Sequence, residues 1–283
     1  MSTAKTSAVN VSSLTAPDFF DAPITYPPIP TPKKLEKLEA ERSLPVAPPH
    51  AAVNLAVPFV HQLWDTPDNF DGHWACGPTS CTMVLAFYKL LTPHPMTVSS
   101  PSKHSSNFGW YLSNAFVHLG HNFKAVAEAP IGKTRTQPTA GIYGTVMDNH
   151  PSAGGWCTAP DDLEHHGKGI RALMKFFLPA IGNDLEVVAG LKEKSRATVE
   201  KLFHQTLDAG HPVIVSGFLF GWHHIIVLRG YFVDSAAKKI RWIANDPFGY
   251  RTKGGFDGAN VVYNFEEIGP KWAVLFKSAQ DDL

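Results

Sequence analysis

The first 50 residues differ in composition from the rest of the chain. They contain nine prolines and no glycine, whereas every glycine lies at Gly72 or later. Proline-rich backbone favours extended, polyproline-like conformations that cannot bury themselves. We therefore expect residues 1–50 to form an extended arm, interrupted by one short helix within 33–42, and residues 51–283 to form the folded domain.

Two interpretations of the arm stay open. A proline-rich segment is often a disordered tail. The alternative is a tether that lies over a partner in a larger protein assembly, because the arm carries apolar residues that pure linkers lack. These residues are Phe19, Phe20, Ile24, Tyr26 and Ile29.

Charge and hydropathy exclude several classes of protein. Twenty-five basic and 25 acidic residues give no net charge, and no cluster of lysine and arginine could follow a phosphate backbone, so nucleic acid is not an expected partner. No apolar run approaches the roughly 18 to 20 residues of a membrane-spanning helix. The start of the chain lacks the pattern of a Sec signal, so the cytoplasm is the default location. Association with a virion and export without a Sec signal are the alternatives.

The order of predicted elements indicates an α+β fold. Helices are expected to begin at residue 76 and to cover 110–119, 166–178 and 196–209, with loops from 123 to 160. Strands dominate the last third of the chain, as helices followed by antiparallel strands do in α+β domains. These strands are predicted at 213–216, 224–232, 240–245, 261–265 and 272–276.

Cysteine usage points to a free thiol. The chain has three cysteines, Cys76, Cys81 and Cys157, an odd and sparse set that argues against a disulfide framework. Cys76 stands where a helix should start, since Pro78 suits a first turn and apolar residues follow at helical spacing. A helix N-terminus favours the thiolate, which makes Cys76 a candidate nucleophile. Cys81, inside the same helix, is expected to be an ordinary buried residue.

A base and an acid for this nucleophile are found later in the chain. His224 opens an apolar strand, which would hold an imidazole rigidly, although a lone histidine is more often a surface or core residue. Asp246 lies between the next apolar strand and Pro247, where it could accept the imidazole N–H. Its alternative role is that of a turn former.

Taken together, these segments resemble the C39-like cysteine peptidases, which share the papain-like arrangement. The matching blocks are VPFVHQ at 57–62 with ACGPTS at 75–80, GHPVIV at 210–215 with HIIVLRGY at 224–231, and NDPFG at 245–249. The resemblance implies a nucleophile at a helix N-terminus, packed on an antiparallel sheet that carries His and Asp. It also implies that the Gln62 amide and the Cys76 backbone N–H face the developing oxyanion.

The same resemblance decides between two adjacent histidines. In the family the catalytic histidine stands six residues before a glycine, which selects His224 because of Gly230. Neighbouring strand residues face opposite sides of a sheet, so His223 should not reach the same thiol. The resemblance covers 57–91 and 196–250. Residues 92–195 are expected to form a divergent insertion of helices and loops.

Two other patterns carry no prediction of a ligand. Residues 127–134 fit a relaxed phosphate-loop pattern but lack its first glycine and a following helix. Residues 161–166, with Cys157 nearby, lack the tight ligand pairs of zinc sites and resemble an acidic helix start. We predict no metal and no cofactor.

The expected function is that of a cysteine peptidase that hydrolyses a peptide-like amide through a thioester acyl-enzyme. Its candidate substrates are a protein, a peptide precursor and the peptides of peptidoglycan. One alternative keeps the fold and transfers the acyl group to an amine, as a transpeptidase does. Another is an inactive structural or binding module of a larger assembly such as a phage virion.

Overall fold

The computed structural model describes residues 51–99, 103–123, 126–131, 135–148, 163–219, 221–249 and 257–278. The predicted arm at 1–50, its short helix and Cys157 lie outside these ranges. The division into an arm and a domain from residue 51 onward therefore stays a prediction.

The described residues form helices and strands in alternation at first and mostly strands later. The helices are α1 Cys76–Phe87, α2 Trp110–Ser113, α3 Gly141–Asp148, α4 Leu163–Phe177, α5 Arg196–Asp208 and α6 Phe265–Ile268. The strands are β1 Ala51–Asn54, β2 Met96–Val98, β3 His104–Ser106, β4 Phe116–His118, β5 His121–Phe123, β6 Val126–Ile131, β7 Arg135–Thr139, β8 Asn183–Val188, β9 Val213–Leu219, β10 Trp222–Asp234, β11 Lys239–Asn245, β12 Val261–Tyr263 and β13 Pro270–Ser278.

One antiparallel sheet of seven strands forms the centre of the domain. Its order is β12-β11-β10-β9-β13-β8, and β1 pairs with β10. Helices that precede and flank an antiparallel sheet confirm the predicted α+β class. The five predicted strands of the last third are confirmed as β9 to β13, and the helices predicted at 76, 166–178 and 196–209 as α1, α4 and α5.

The prediction of a helix over 110–119 is wrong. Helix α2 ends at Ser113, and β4 and β5 follow as a hairpin. Leu119 and Gly120 form its two-residue turn with φ of 47° and 79°, the left-handed conformations that such turns require. The rings of Phe116 and Phe123, which pair across the hairpin, stack with centroids 4.2 Å apart.

The loop predicted from 123 to 160 is also wrong in part. Strands β6 and β7 pair with each other as antiparallel strands, and α3 follows β7. The described part of residues 92–195 therefore contains three two-stranded sheets, formed by β2 with β3, β4 with β5 and β6 with β7. The predicted insertion of helices and loops needs this correction.

Hydrophobic side chains cover both faces of the central sheet. On β10, Ile225 and Val227 belong to a cluster that includes α1, α3 and α4. Ile226 and Leu228 belong to a second cluster that includes α5. This alternation is the period of two expected of a strand buried on both sides. Across the described ranges, we find no helix with the length and apolar character needed to cross a membrane.

Candidate active site

Cys76 is the first residue of α1 and 5% exposed. The residue before it, Ala75, holds the N-cap position and has no side-chain acceptor for the N–H groups of the first turn. These N–H groups and the helix dipole place positive electrostatic potential at the thiol. The local sequence thus places the Cys76 sulfur at the positive end of the helix dipole.

His224 and Asp246 form a buried pair beside this thiol. Nε2 of His224 lies 2.6 Å from Oδ1 of Asp246, and Asp246 is 0% exposed. Cys76 also interacts with the His224 imidazole and raises its pKa. Because Nε2 donates to Asp246, Nδ1 is the ring nitrogen left for the thiol. The structure therefore brings Cys76, His224 and Asp246 together.

The charges of its neighbours decide the protonation of His224. Burial lowers the pKa of this imidazole, but the Asp246 carboxylate opposes burial through its charge and its hydrogen bond. Cys76 adds a hydrogen bond and a charge of the same sign as Asp246, and the net result raises the pKa of His224 to about 9. At neutral pH the His224 imidazole is therefore protonated, and its positive charge is paired with the Asp246 carboxylate.

Asp246 is held by more than one donor. Oδ1 also accepts the backbone N–H of Phe248 at 2.8 Å, and Oδ2 accepts the hydroxyl of Tyr263 at 2.7 Å. Burial raises the pKa of Asp246, yet the charge of His224 and these three hydrogen bonds outweigh it and lower the pKa. Sequence analysis missed Tyr263, because only the pairing of β11 with β12 places it beside Asp246.

His223 has a different environment from its neighbour. Its Nε2 lies 3.2 Å from Nζ of Lys271, and its ring meets that of Phe218 edge to face with centroids 5.5 Å apart. Burial, and secondly the charge of Lys271, lower the pKa of His223 to about 4. At neutral pH His223 is therefore neutral, whereas His224 is protonated.

Gln62 lies between the segments that carry Cys76 and Asp246. Its side-chain amide donates to the carbonyl oxygens of Gly72 at 2.7 Å and His73 at 3.1 Å, in the short 3-10 helix just before α1. Its backbone N–H donates to Pro247. Gly72 packs so closely that a side-chain carbon on it would lie 1.7 Å from the carbonyl oxygen of Gln62. The N–H groups of the Gln62 amide are thus held by backbone carbonyls just before α1, and the oxyanion role of Gln62 stays a prediction.

A second buried pair of side chains supports the segment that holds Gln62. Nε2 of His104, on β3, lies 3.0 Å from Oδ1 of Asp65, and Oδ2 of Asp65 accepts the backbone N–H of His61 at 2.7 Å. Sequence analysis gave these residues no role, since His104 lies within the predicted insertion. The pair connects the β2–β3 hairpin to the segment that holds Gln62.

Cys81 is unsuited to nucleophilic attack. It is a free thiol with 0% exposure, and burial raises its pKa far above the ordinary value. Cys76 is also free, whereas Cys157 lies outside the described residues. Within those residues, no three His, Cys, Asp or Glu side chains form a group suited to hold a metal ion.

Comparison with known proteins identifies the class. The model of the Peptidase_C39 like family matches residues 54–275, which include Cys76, His224 and Asp246. The chain belongs to this family, and the resemblance found in the sequence is confirmed. Membership supports a function of the cysteine-peptidase type. No curated protein matches the sequence significantly.

Proposed function

We propose that this protein is a cysteine peptidase of papain-like arrangement, with Cys76 as nucleophile, His224 as general base and acid, and Asp246 as the group that orients His224. One observation carries the proposal: a single buried imidazole is hydrogen-bonded to a buried carboxylate and interacts with the thiol at the start of α1. A thiolate and an imidazolium paired in this way are the nucleophile and the proton donor of thiol-dependent acyl transfer.

In the first step, the Cys76 thiolate attacks the carbonyl carbon of a peptide-like amide. The carbonyl π electrons move to oxygen, which becomes an oxyanion. As the tetrahedral intermediate collapses, the C–N bond breaks, and the His224 imidazolium gives its proton to the leaving nitrogen. The products are an amine and a thioester on Cys76, with His224 now neutral.

In the second step, His224 removes a proton from water as the water oxygen attacks the thioester carbonyl. The C–S bond breaks and a carboxylic acid is released. Cys76 leaves as thiolate and His224 is again protonated, so the starting pair is restored. Asp246 keeps the imidazole in one orientation throughout and stabilises its charged form.

The oxyanion requires donors that the first turn of α1 can supply. We assign the Cys76 backbone N–H and, as a second donor, the Gln62 amide. The amide reaches a substrate only by exchanging one of its present bonds to the Gly72 and His73 carbonyls, of which the longer one, to His73, is only partly buried. This exchange would accompany substrate binding.

The test is amide cleavage by the full-length protein on peptide libraries and on purified peptidoglycan, with Cys76→Ala as the control. We propose peptides of one of these two kinds, a protein precursor or a cell-wall peptide, as substrate. Hydrolysis that depends on Cys76 supports the proposal, and products extended by an added amine indicate a transferase. A wild-type protein that cleaves nothing and forms no acyl-enzyme indicates a structural or binding module, as in a virion.

A further inference from the structure

We infer that Tyr263 is a positioning residue that aligns the Asp246 carboxylate with His224. The inference rests on the proposed function, since it gives Tyr263 a part in the same reaction without contact with substrate. It depends on the hydroxyl rather than on the aromatic ring.

The two oxygens of Asp246 have separate tasks. Oδ1 accepts from Nε2 of His224 and from the Phe248 N–H, and Oδ2 accepts from the Tyr263 hydroxyl at 2.7 Å. A carboxylate can rotate about its Cβ–Cγ bond, and donors on both oxygens hold it in one orientation. Asp246 is fully buried, so an Oδ2 that has lost the hydroxyl is left without this hydrogen bond at a cost in free energy. Rotation of the carboxylate towards other donors then becomes more favourable.

The position of Tyr263 is itself rigid. Tyr263 ends β12, pairs with Trp242 of β11 and is fully buried. Asp246 comes directly after the end of β11, so the strand next to β12 holds the backbone from which the acceptor projects. Groups supported by rigid strands retain their geometry through a reaction better than groups on loops.

The test is a double-mutant cycle of Tyr263→Phe and Asp246→Asn, read by the rate of Cys76 alkylation with iodoacetamide at about pH 6. Tyr263→Phe removes only the hydroxyl, and we expect alkylation to slow about tenfold, the scale of one hydrogen bond to a charged group. The rate should also be measured as a function of pH. The fall in alkylation rate at low pH, the acid limb of this profile, should move to higher pH in Tyr263→Phe, because the hydroxyl helps to keep the pKa of Asp246 low. In the Asp246→Asn background the same substitution should change the rate less than about twofold.

The matched control is Tyr231→Phe, which removes a hydroxyl that donates to Asp208 at the same distance of 2.7 Å but on the protein surface. It should alkylate like wild type. An equal loss from Tyr263→Phe in both backgrounds would show a merely structural role and overturn the inference, as would an unchanged rate and acid limb.

One feature keeps this test separate from that of the function. Alkylation needs no substrate, so a coupled cycle in a protein that cleaves no amide upholds the positioning role and rejects the peptidase. If the protein cleaves amides but the two substitutions act independently on alkylation, the peptidase is supported and the positioning role is rejected.

If Tyr263→Phe does not fold, replacing Tyr263 by 3-fluorotyrosine retains ring and hydroxyl and strengthens the donor. The acid limb should then move to lower pH, and an unmoved limb contradicts the inference.

Discussion

The backbone N–H of Gln62 donates to the carbonyl oxygen of Pro247 at 2.8 Å. This bond joins the segment before Cys76 to the turn that follows Asp246, although the two are far apart in the chain. The side chain of Gln62 extends the connection to Gly72 and His73. Gln62 therefore connects the segment before Cys76 to the segment that carries Asp246.

Gln62→Ala should lower turnover about 10²- to 10³-fold, the effect of losing one oxyanion donor. If the amide acts on the oxyanion, the alkylation rate of Cys76 should stay close to that of wild type, since alkylation forms no oxyanion. Steady-state kinetics and alkylation measured on the same variant give the answer. Gln205→Ala, an exposed glutamine of α5, is the control. A parallel loss of alkylation would show that Gln62 only anchors the loop.

Cys76 should react with iodoacetamide much faster than Cys81 near neutral pH. Cys76 has a helix N-terminus and the His224 imidazole beside it, whereas burial holds Cys81 as a neutral thiol. Mass spectrometry of the partly labelled native protein measures the ratio. Cys81→Ala should label like wild type, and preferential modification of Cys81 would remove Cys76 from its role.

His224→Ala and His223→Ala should differ in thiol reactivity. Without its imidazole partner, Cys76 should approach an ordinary thiol, whose thiolate fraction near pH 6.5 is about 1%. Alkylation of His224→Ala at that pH should therefore fall by up to about 100-fold. His223→Ala should keep most of its rate, because His223 contacts Lys271 and Phe218 instead. The reverse pattern would assign the base to His223.

The stability of the protein should depend on the His224–Asp246 pair in a predictable pH range. The pKa of His224 is raised from 6.5 to about 9, so its contribution to folding is complete below about pH 6.5 and is lost as pH rises through 9. The difference in unfolding free energy between wild type and Asp246→Asn should thus shrink from pH 6.5 to 9. Urea unfolding at several pH values measures it, and a difference independent of pH would contradict the assigned ion pair.

Deletion of residues 1–50 should leave peptide cleavage nearly intact. The family match begins at residue 54, and β1, which pairs with β10, begins at Ala51. A longer deletion, of residues 1–56, also removes β1 and the hydrogen bond from Leu55 to the Arg229 carbonyl, and should lower the thermal midpoint. Circular dichroism and a peptide assay compare the two. Loss of folding in the shorter deletion would place the arm in the core.

Prediction from sequence was most accurate where local pattern and burial agree. Strands β9 to β11 carry apolar runs bounded by turn residues, and helix α1 has a first-turn proline with apolar spacing behind it, so their positions were predicted well. It was least accurate at 110–119 and 123–160. There, short hairpins are stabilised by cross-strand contacts such as that of Phe116 with Phe123. Such contacts do not produce a hydrophobic periodicity along the sequence.

Local sequence pattern was sufficient to identify the reactive residues: a thiol at a helix start, a histidine at a strand start and an aspartate before a proline, in an order typical of the family. The relative positions and the hydrogen-bond partners of these residues depend on how the chain folds. Pairing of β10 with β11 and of β11 with β12 brings His224, Asp246 and Tyr263 together. Helix α1 packs against β10 through the hydrophobic cluster that contains Ile225 and Val227. Hydrogen bonds and burial between distant segments depend on strand register, and one residue of slip would turn each side chain to the other face.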